Sequence, residues 1–164
     1  MKLEFSRLDS TNTKDILSLY RRSEDYFILG EGTIPDSCDE LLYDLPPNVK
    51  LDQKVIVGAF QEDQLVGLVD CLLSFPEQDT SMIGLLLVDS GCRGMGIGAN
   101  LFQHVVDLSK EKRMKRIRIG VMESNQGALK FWSRMGFVHV DTKGPVTYGE
   151  RTHMIHVMIN ELML

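Results

Sequence analysis

The sequence lacks the basic excess that is typical of proteins which bind nucleic acid by neutralising its phosphates. Its 164 residues include 18 Lys and Arg against 23 Asp and Glu, which gives a formal net charge of −5 at pH 7. Nucleic-acid-binding proteins of that kind carry clusters of Lys and Arg that displace counterions from the phosphate backbone. We therefore expect no nucleic-acid partner, and an anionic ligand must be held by local features.

Long hydrophobic runs are also absent. Uninterrupted apolar runs reach only four residues, as in LLLV at 85–88, whereas a membrane-spanning helix needs about 20. The first ten residues, MKLEFSRLDS, lack the apolar region of a signal peptide. These absences predict a cytoplasmic protein that does not associate with a membrane.

Disulfide and metal-ligand patterns are missing as well. The three cysteines, Cys38, Cys71 and Cys92, are odd in number and widely spaced, unlike a disulfide framework or a zinc site. His153 and His156 lie three residues apart in RTHMIHVMI, which alternates like a strand. Residues three apart on a strand point to opposite faces. We therefore expect no metal.

The residues that are present predict one domain over residues 1–164. Hydrophobic residues make up 43% of the chain and charged residues 25%, enough to bury a core. Apolar periodicity predicts an α+β fold with a mixed, largely antiparallel sheet, in which the apolar stretch IGLLLV is covered on both faces. Strands are expected at 3–8, 54–60, 64–75, 81–89, 115–121, 137–141 and 151–159, and helices at 11–22, from about 36, from 98 and at 124–137.

Residues 23–49 form an acidic segment that contains no Lys or Arg. An acidic surface favours a cationic partner, although a solvated helix has the same composition. Pro46 and Pro47 end any helix that begins near Asp36. The seven carboxylates of this segment belong to Glu24, Asp25, Glu31, Asp36, Asp39, Glu40 and Asp44.

A glycine-rich turn, CRGMGIGAN at 92–100, follows the strand at 81–89 and begins the helix at 98. The first N–H groups of a helix are unpaired and carry the positive end of its dipole, so the turn predicts an anion site. The G-x-x-x-x-G-K-(S/T) pattern of a P-loop does not occur. Gly94, Gly96 and Ala99, with Glu123 further on, also fit a dinucleotide fingerprint, but too few βα units follow for that fold.

Two stretches together resemble the GCN5-related N-acetyltransferase (GNAT) family. The first, LLLVDSGCRGMGIGANLF, is similar to the family's acetyl-CoA motif, (Q/R)-x-x-G-x-(G/A), through Arg93, Gly96 and Gly98. The second, VMESNQGALKFWSRMGF, is similar to the motif that follows it in the family. Its matching residues are Asn125, Ala128, Trp132, Gly136 and Phe137.

This resemblance implies an acetyl-CoA-dependent N-acetyltransferase with a sheet of six to seven strands between layers of helices (α/β/α). It implies that backbone amides of the glycine turn hold the coenzyme A pyrophosphate, that the strand before it pairs with the pantetheine arm, and that Asn125 contacts the arm near the thioester. A homodimer is a further implication, by analogy. The expected cofactor-binding residues are Leu86, Leu87, Val88, Arg93, Gly94, Met95, Gly96, Ile97, Gly98, Ala99, Asn125, Ala128 and Trp132.

The chemistry of acetyl transfer asks for a proton acceptor at the amine and for stabilisation of the carbonyl oxygen. The backbone N–H of Val88 is the expected oxyanion donor. Many family members place a tyrosine, acting as general acid, where this sequence has Trp132, whose indole cannot give up its proton; Tyr26, Tyr148 or a water are alternatives. For the base, Glu31 between two glycines is the first choice, and the other candidates are Asp70, Glu123 and His153.

The acceptor is expected to be a small cationic primary amine, because the segment 23–49 is acidic. Two other functions stay open from the sequence. One is an acyl-CoA-binding regulatory module without catalysis, since Trp132 replaces the usual tyrosine. The other, less favoured, is a nicotinamide-dependent reductase that uses the glycine turn for a dinucleotide.

Overall fold

A computed structural model describes residues 2–163 of the chain. Its strands follow each other in the order that the hydrophobic pattern predicts. The strands are β1 Glu4–Arg7, β2 Lys54–Gln61, β3 Gln64–Leu72, β4 Thr80–Val88, β5 Arg116–Met122, β6 Val138–Tyr148 and β7 Arg151–Glu161. The α-helices are α1 Thr13–Arg22, α2 Glu24–Gly30, α3 Asp39–Tyr43, α4 Ile97–Glu111 and α5 Gln126–Arg134.

The seven strands of the described residues form one mixed sheet in the order β1-β2-β3-β4-β5-β7-β6. Neighbouring strands are antiparallel except for β4 and β5, which are parallel. This confirms the α+β class and a largely antiparallel sheet. A dinucleotide-binding domain needs a mostly parallel sheet of successive βα units, so the fold does not support the reductase interpretation.

The core lies on both faces of the sheet. Successive residues of a strand point to opposite faces, and Leu68 and Val69 on β3 accordingly belong to different hydrophobic clusters. Leu68 packs with Leu19 of α1 and the residues of α2 and α3, while Val69 packs with Leu101 of α4 and Trp132 of α5. The sheet is therefore covered by α1, α2 and α3 on one side and by α4 and α5 on the other.

Two details differ from the sequence expectation. Helix α2 is an additional helix of seven residues inside the acidic segment, and β6 continues to Tyr148 instead of ending near residue 141. The strand passes through Gly144 and Pro145 because its register with β7 shifts at two bulges, which accommodate residues that a regular ladder disfavours.

Strands β4 and β5 pair over only part of their length. Their parallel register joins Thr80–Ile83 to Arg116–Ile119. Beyond these residues β4 stays paired with β3 and β5 stays paired with β7, so a gap opens between the two strands. Leu85, Leu86 and Val88 are only half-buried as a result, and the expectation that IGLLLV is covered on both faces is wrong for this part of β4.

No helix within residues 2–163 combines the length and the apolar character needed to span a membrane.

Candidate active site

The glycine turn at the end of β4 has the geometry of an anion-binding site. Gly94 and Gly96 have positive φ angles of 79° and 84°, a conformation that costs little only for glycine. A Cβ added at Gly94 would meet no atom within 4 Å, so this backbone faces open space. Helix α4 begins at Ile97, and its first N–H groups, which have no partner inside the helix, border the same space.

A cavity of about 620 Å³ extends from this turn along the gap between β4 and β5. The expected cofactor residues border it with one exception. Met95 lies outside the lining, and its side chain is 53% exposed. The lining residues among those expected are Leu86, Leu87, Val88, Arg93, Gly94, Gly96, Ile97, Gly98, Ala99, Asn125, Ala128 and Trp132.

The edge of β4 that borders this cavity offers backbone hydrogen-bonding groups. Asp89 N donates to Val66 O at 2.8 Å, and in an antiparallel pair the residues that bond to the neighbouring strand alternate. Leu87 therefore turns its N–H and C=O toward β3, whereas Leu86 and Val88 turn theirs toward the gap. The Val88 C=O accepts hydrogen bonds from Ser23 Oγ and Arg93 Nε, both at 3.3 Å, so the Val88 N–H and both backbone groups of Leu86 are left for a ligand. Helix N–H groups at one end of the cavity and these strand groups along it suit a ligand with a diphosphate and an amide-containing chain.

The Arg93 side chain crosses the mouth of the cavity to α2. Its Nη2 donates to Asp25 Oδ1 at 2.9 Å, and its Nε donates to Val88 O at 3.3 Å. The hydrogen bond from the guanidinium holds the pKa of Asp25 below its ordinary value, against the smaller opposing effect of burial. Arg93 and Asp25 thus form an ion pair beside the glycine turn.

Helix α5 contributes Asn125 and Trp132 to the cavity. Asn125 caps the helix, because its Oδ1 accepts a hydrogen bond from Ala128 N at 3.1 Å. The side-chain amide group of Asn125 keeps its donors for a ligand. Trp132 is 4% exposed and packs edge-on against Phe102 and Phe137. It is therefore a residue of the hydrophobic core that also borders the cavity.

A second cavity of about 580 Å³ lies on the other side of the gap, under the acidic segment. Glu31, Glu40 and Asp44 border it from that segment, and Asp70 borders it from β3. Three cationic side chains also contribute to the lining. They are Lys54, Arg118 and Lys143.

The two cavities meet where β4 and β5 diverge. A small set of residues borders both, and nearly all of them belong to the two strands. The exception is Tyr26 of α2. The shared residues are Tyr26, Gly84, Leu85, Ile119, Gly120 and Met122.

The four candidate bases are separated by the structure into two groups. Glu31 and Asp70 border the second cavity, but Glu123 and His153 border neither cavity. Glu123 accepts a hydrogen bond from His156 Nε2 at 2.9 Å, and His153 Nε2 donates to Gly30 O at 2.9 Å. The hydrogen bonds of Glu123 and His153 therefore connect parts of the fold, and neither residue is placed to act as the base.

Glu31 and Asp70 differ in their surroundings. Glu31 is half-buried, and burial, followed by the charge of Glu40, raises its pKa above the ordinary value. Asp70 is 8% exposed and lies 2.9 Å from Lys54 Nζ. Burial raises the pKa of Asp70, while Lys54 partly offsets that effect. Of these two candidate bases, Glu31 is therefore the one without an ion-pair partner.

The sequence offered Tyr26 as an alternative general acid, beside Tyr148 and a water, without a signal that selects among them. Tyr26 lies in α2, which the periodicity did not predict, and the apolar run YFIL at 26–29 was the sole local signal of a buried element there. Within residues 2–163, no group of three His, Cys, Asp or Glu side chains is placed to hold a metal ion.

Comparisons with known proteins give the family. The model of the acetyltransferase (GNAT) family matches residues 15–137. Probable N-acetyltransferase san of Drosophila melanogaster is 32% identical over 90 residues, 52% of this chain and 47% of that protein. An uncharacterized N-acetyltransferase of Methanocaldococcus jannaschii is 29% identical over 76 residues, 44% of this chain and 34% of that protein. The matched stretch thus spans less than half the length of these relatives.

Solved structures share the fold over nearly the whole chain. A probable acetyltransferase from Staphylococcus epidermidis has a TM-score of 0.79 at 17% identity, covering 99% of this chain and 100% of that one. The PaiA N-acetyltransferase from Thermoplasma acidophilum, solved in complex with coenzyme A, has a TM-score of 0.75 at 16% identity, with 99% and 100% covered. These likenesses concern the fold. Together with the family match over residues 15–137, they show that the chain belongs to the GNAT acetyltransferase family, whose co-substrate is acetyl-CoA.

Proposed function

We propose that this protein is an N-acetyltransferase that moves an acetyl group directly from acetyl-CoA to a small cationic primary amine. The observation that carries the proposal is the meeting of two cavities at the β4–β5 gap, one beside the glycine turn and one beside Glu31. Direct transfer needs the thioester and the amine to reach one point from two sides. A gap in the sheet provides that point.

The cofactor is assigned to the cavity beside the glycine turn. In this proposal the N–H groups at the start of α4, with the backbone from Arg93 to Ala99, bind the pyrophosphate. The C=O of Leu86 and the N–H of Val88, which face the gap, bind the pantetheine amides, and Asn125 donates to the arm. Leu87 contributes packing only, because its backbone pairs with β3 and its side chain is 2% exposed.

The chemistry is assigned to residues on the two sides of the junction, Leu86 in the first cavity and Glu31 in the second. Acetyl-CoA supplies an activated acetyl group whose carbonyl oxygen gains negative charge during attack. The N–H of Leu86 stabilises that oxygen better than the expected N–H of Val88, because Val88 lies four residues from the shared Gly84, about 13 Å along the strand. Glu31 accepts a proton from the amine, and its raised pKa suits a base that works near neutral pH.

The preference for a cationic acceptor follows from the charges of the second cavity. Lys54 and Asp70 neutralise each other, which leaves Glu31, Glu40 and Asp44 on the wall that the acidic segment forms. Arg118 and Lys143 lie on the sheet side of the same cavity. An acceptor with a second positive charge is therefore expected to place that charge at the acidic wall.

A second acceptor class is a peptide with a free N-terminus. The ribosomal-protein-S18-alanine N-acetyltransferase from Escherichia coli has a TM-score of 0.70 with this chain, at 15% identity and with 99% of this chain and 96% of that one covered. A regulatory module that binds acyl-CoA without turning it over is the third possibility. Each of the three gives a different result with a panel of amines.

The test measures coenzyme A release with acetyl-CoA and a panel of acceptors. The decisive pair is 1,5-diaminopentane and 5-amino-1-pentanol. They have the same length, but the diamine carries one more positive charge. We expect a kcat/KM at least about tenfold higher for the diamine, since one favourable contact of 1.4 kcal/mol has that effect. A peptide that begins with alanine and a peptide that contains lysine complete the panel.

The outcomes separate the proposals. Equal turnover of the diamine and the amino alcohol would contradict the preference for a cationic acceptor. Turnover of the peptides alone would show that the acceptor is a protein and not a small amine. Tight acetyl-CoA binding without turnover of any acceptor identifies the regulatory module. The Glu31→Gln variant then checks the base, because it should lower kcat about 100-fold while acetyl-CoA binding is unchanged.

The organisation of the whole protein is part of the same proposal. We infer one acetyltransferase domain over residues 1–164 and a homodimer as the assembly. The three free cysteines support a reducing compartment such as the cytoplasm. Sedimentation analysis tests the assembly, and fractionation of cells tests the location.

A further inference from the structure

Tyr26 is the one ionisable residue, among those described, that borders both cavities. The other shared residues are glycine or apolar, and the other titratable side chains belong to one cavity or the other. Glu31 and Tyr148 border the second cavity alone, while Asp25 and Arg93 border the first alone. Tyr26 therefore lies where the contents of the two cavities would meet.

The ring of Tyr26 is held while its hydroxyl is free. Its centroid lies 5.1 Å from that of Phe27 in an edge-on arrangement, and its N–H donates to Ser23 O at 3.1 Å. Among the hydrogen bonds of residues 2–163, none involves the hydroxyl of Tyr26. A positioned phenol with an unused donor at a cavity junction is available to a ligand.

From this placement, and on the basis of the proposed transferase function, we propose that Tyr26 is the general acid that protonates the departing sulfur of coenzyme A. Trp132 is unsuited to this role because an indole N–H does not release its proton and its ring is packed in the core. Tyr148 is unsuited because it borders only the acceptor cavity and is 44% exposed.

The proton balance of the reaction closes with two residues. The amine nitrogen forms a bond to the carbonyl carbon, and Glu31 takes one proton from that nitrogen. The carbon–sulfur bond then breaks, its electron pair moves to sulfur, and Tyr26 gives its phenolic proton to the sulfur. The proton on Glu31 returns to the phenolate of Tyr26, so that amine and acetyl-CoA become amide and coenzyme A with no other reactant.

The environment keeps Tyr26 protonated until the sulfur needs a proton. Burial, followed by the charges of Glu31 and Tyr148, raises the pKa of Tyr26 to about 12. A phenol with this pKa stays protonated at neutral pH and keeps its hydrogen available to the sulfur.

The first experiment compares leaving groups in the Tyr26→Phe variant, which keeps the ring and its packing. With acetyl-CoA and the best acceptor, kcat should fall about 100-fold, at the lower end of the effect of a general acid. With acetyl-selenocoenzyme A, whose far more acidic selenol leaves without protonation, kcat should fall less than about threefold. The Tyr43→Phe variant, at a tyrosine of α3 that is 54% exposed and borders neither cavity, is the matched control and should treat both esters as the wild-type protein does. An equal loss with both esters overturns the proposal.

The second experiment does not depend on turnover. Calorimetry at pH 9 compares coenzyme A with desulfo-coenzyme A, which lacks the sulfur that Tyr26 would contact. The wild-type protein should prefer coenzyme A about fivefold more than Tyr26→Phe does, as expected for one hydrogen bond to the sulfur. An unchanged preference overturns the contact. If no acceptor is turned over, the transferase function fails and this comparison still decides whether Tyr26 faces the sulfur.

Discussion

The carboxylate of Asp70 on β3 lies against Gly84 on β4, so closely that a Cβ added at Gly84 would be 2.7 Å from Asp70 Oδ2. Asp70 is 8% exposed and is paired with Lys54, whose Nζ lies 2.9 Å from its Oδ1. Gly84 also borders both cavities. A glycine here therefore leaves room for a buried ion pair beside the junction.

Gly84→Ala should destabilise the fold. Its Cβ must displace a buried, paired carboxylate, and overpacking of this kind costs about 1–3 kcal/mol. Gly127→Ala is the control, because its Cβ would have only ordinary contact, 3.9 Å from Asn125 Oδ1, at a helical position where alanine is favoured by up to about 1 kcal/mol. Urea denaturation measures both variants. Equal stability of the two variants would contradict the close approach of Asp70.

Gly96→Val should abolish most of the affinity for coenzyme A. Position 96 has a φ of 84° and opens the helix α4, and a branched side chain there strains the backbone and fills the space assigned to the pyrophosphate. We expect Kd to rise at least about 100-fold in calorimetry, a loss of roughly 2.7 kcal/mol.

Gly136→Val separates strain from binding in that experiment. Gly136 has a φ of 98° at the end of α5 and borders neither cavity. This variant should lower Tm in the same way as Gly96→Val while leaving Kd unchanged. Parallel losses of affinity in both variants would show that strain alone explains the effect.

Asn125 should have two separable roles. Asn125→Ala removes the helix cap, so it should cost about 1 kcal/mol of stability and weaken coenzyme A binding. Asn125→Asp keeps a capping oxygen for Ala128 N but replaces the amide donors with a negative charge. Thermal melting should show a stable Asn125→Asp protein, and calorimetry should show weak binding. Normal binding by this variant would argue against an amide contact to the pantetheine arm.

Asp25→Asn should strengthen coenzyme A binding. The carboxylate of Asp25 borders the cofactor cavity and holds the Arg93 guanidinium at 2.9 Å. Its removal eliminates a like charge and frees a cation beside the proposed pyrophosphate site. We expect Kd to fall about threefold at low salt, by an amount typical of exposed charge pairs. Glu24→Gln carries the same change of net charge outside the cavity lining and should have no effect; a similar gain there would point to net charge alone.

Glu40→Gln should move the pH dependence of catalysis. Burial raises the pKa of Glu31 first, and the negative charge of Glu40 raises it further. A base must be ionised, so kcat/KM falls as pH drops through the pKa of Glu31. Without the charge of Glu40 that pKa is lower, and the acid limb of the pH profile should shift to lower pH. Asp39→Asn, the neighbouring acid, should leave the limb in place. An unshifted limb in Glu40→Gln would count against Glu31 as the base.

Most elements of the fold could be predicted from local patterns, because each depends on residues close in sequence. The β2–β3 hairpin follows from two apolar strands around a short polar turn, and α4 follows from a stripe of apolar residues after glycine. Helix α2 was missed because seven residues are too few to establish a helical period. The full length of β6 was missed because bulges at Gly144 and Pro145 are visible only in the pairing with β7.

The sequence by itself determined the family, the co-substrate and the position of the proposed anion site, because the glycine turn and the start of α4 are made by consecutive residues. The tertiary structure decided how the site is completed. The two cavities meet where β4 diverges from β5, and packing against the sheet brings Tyr26 to that gap and Glu31 to the second cavity. Those relationships depend on contacts between residues far apart in sequence, which a local pattern does not encode.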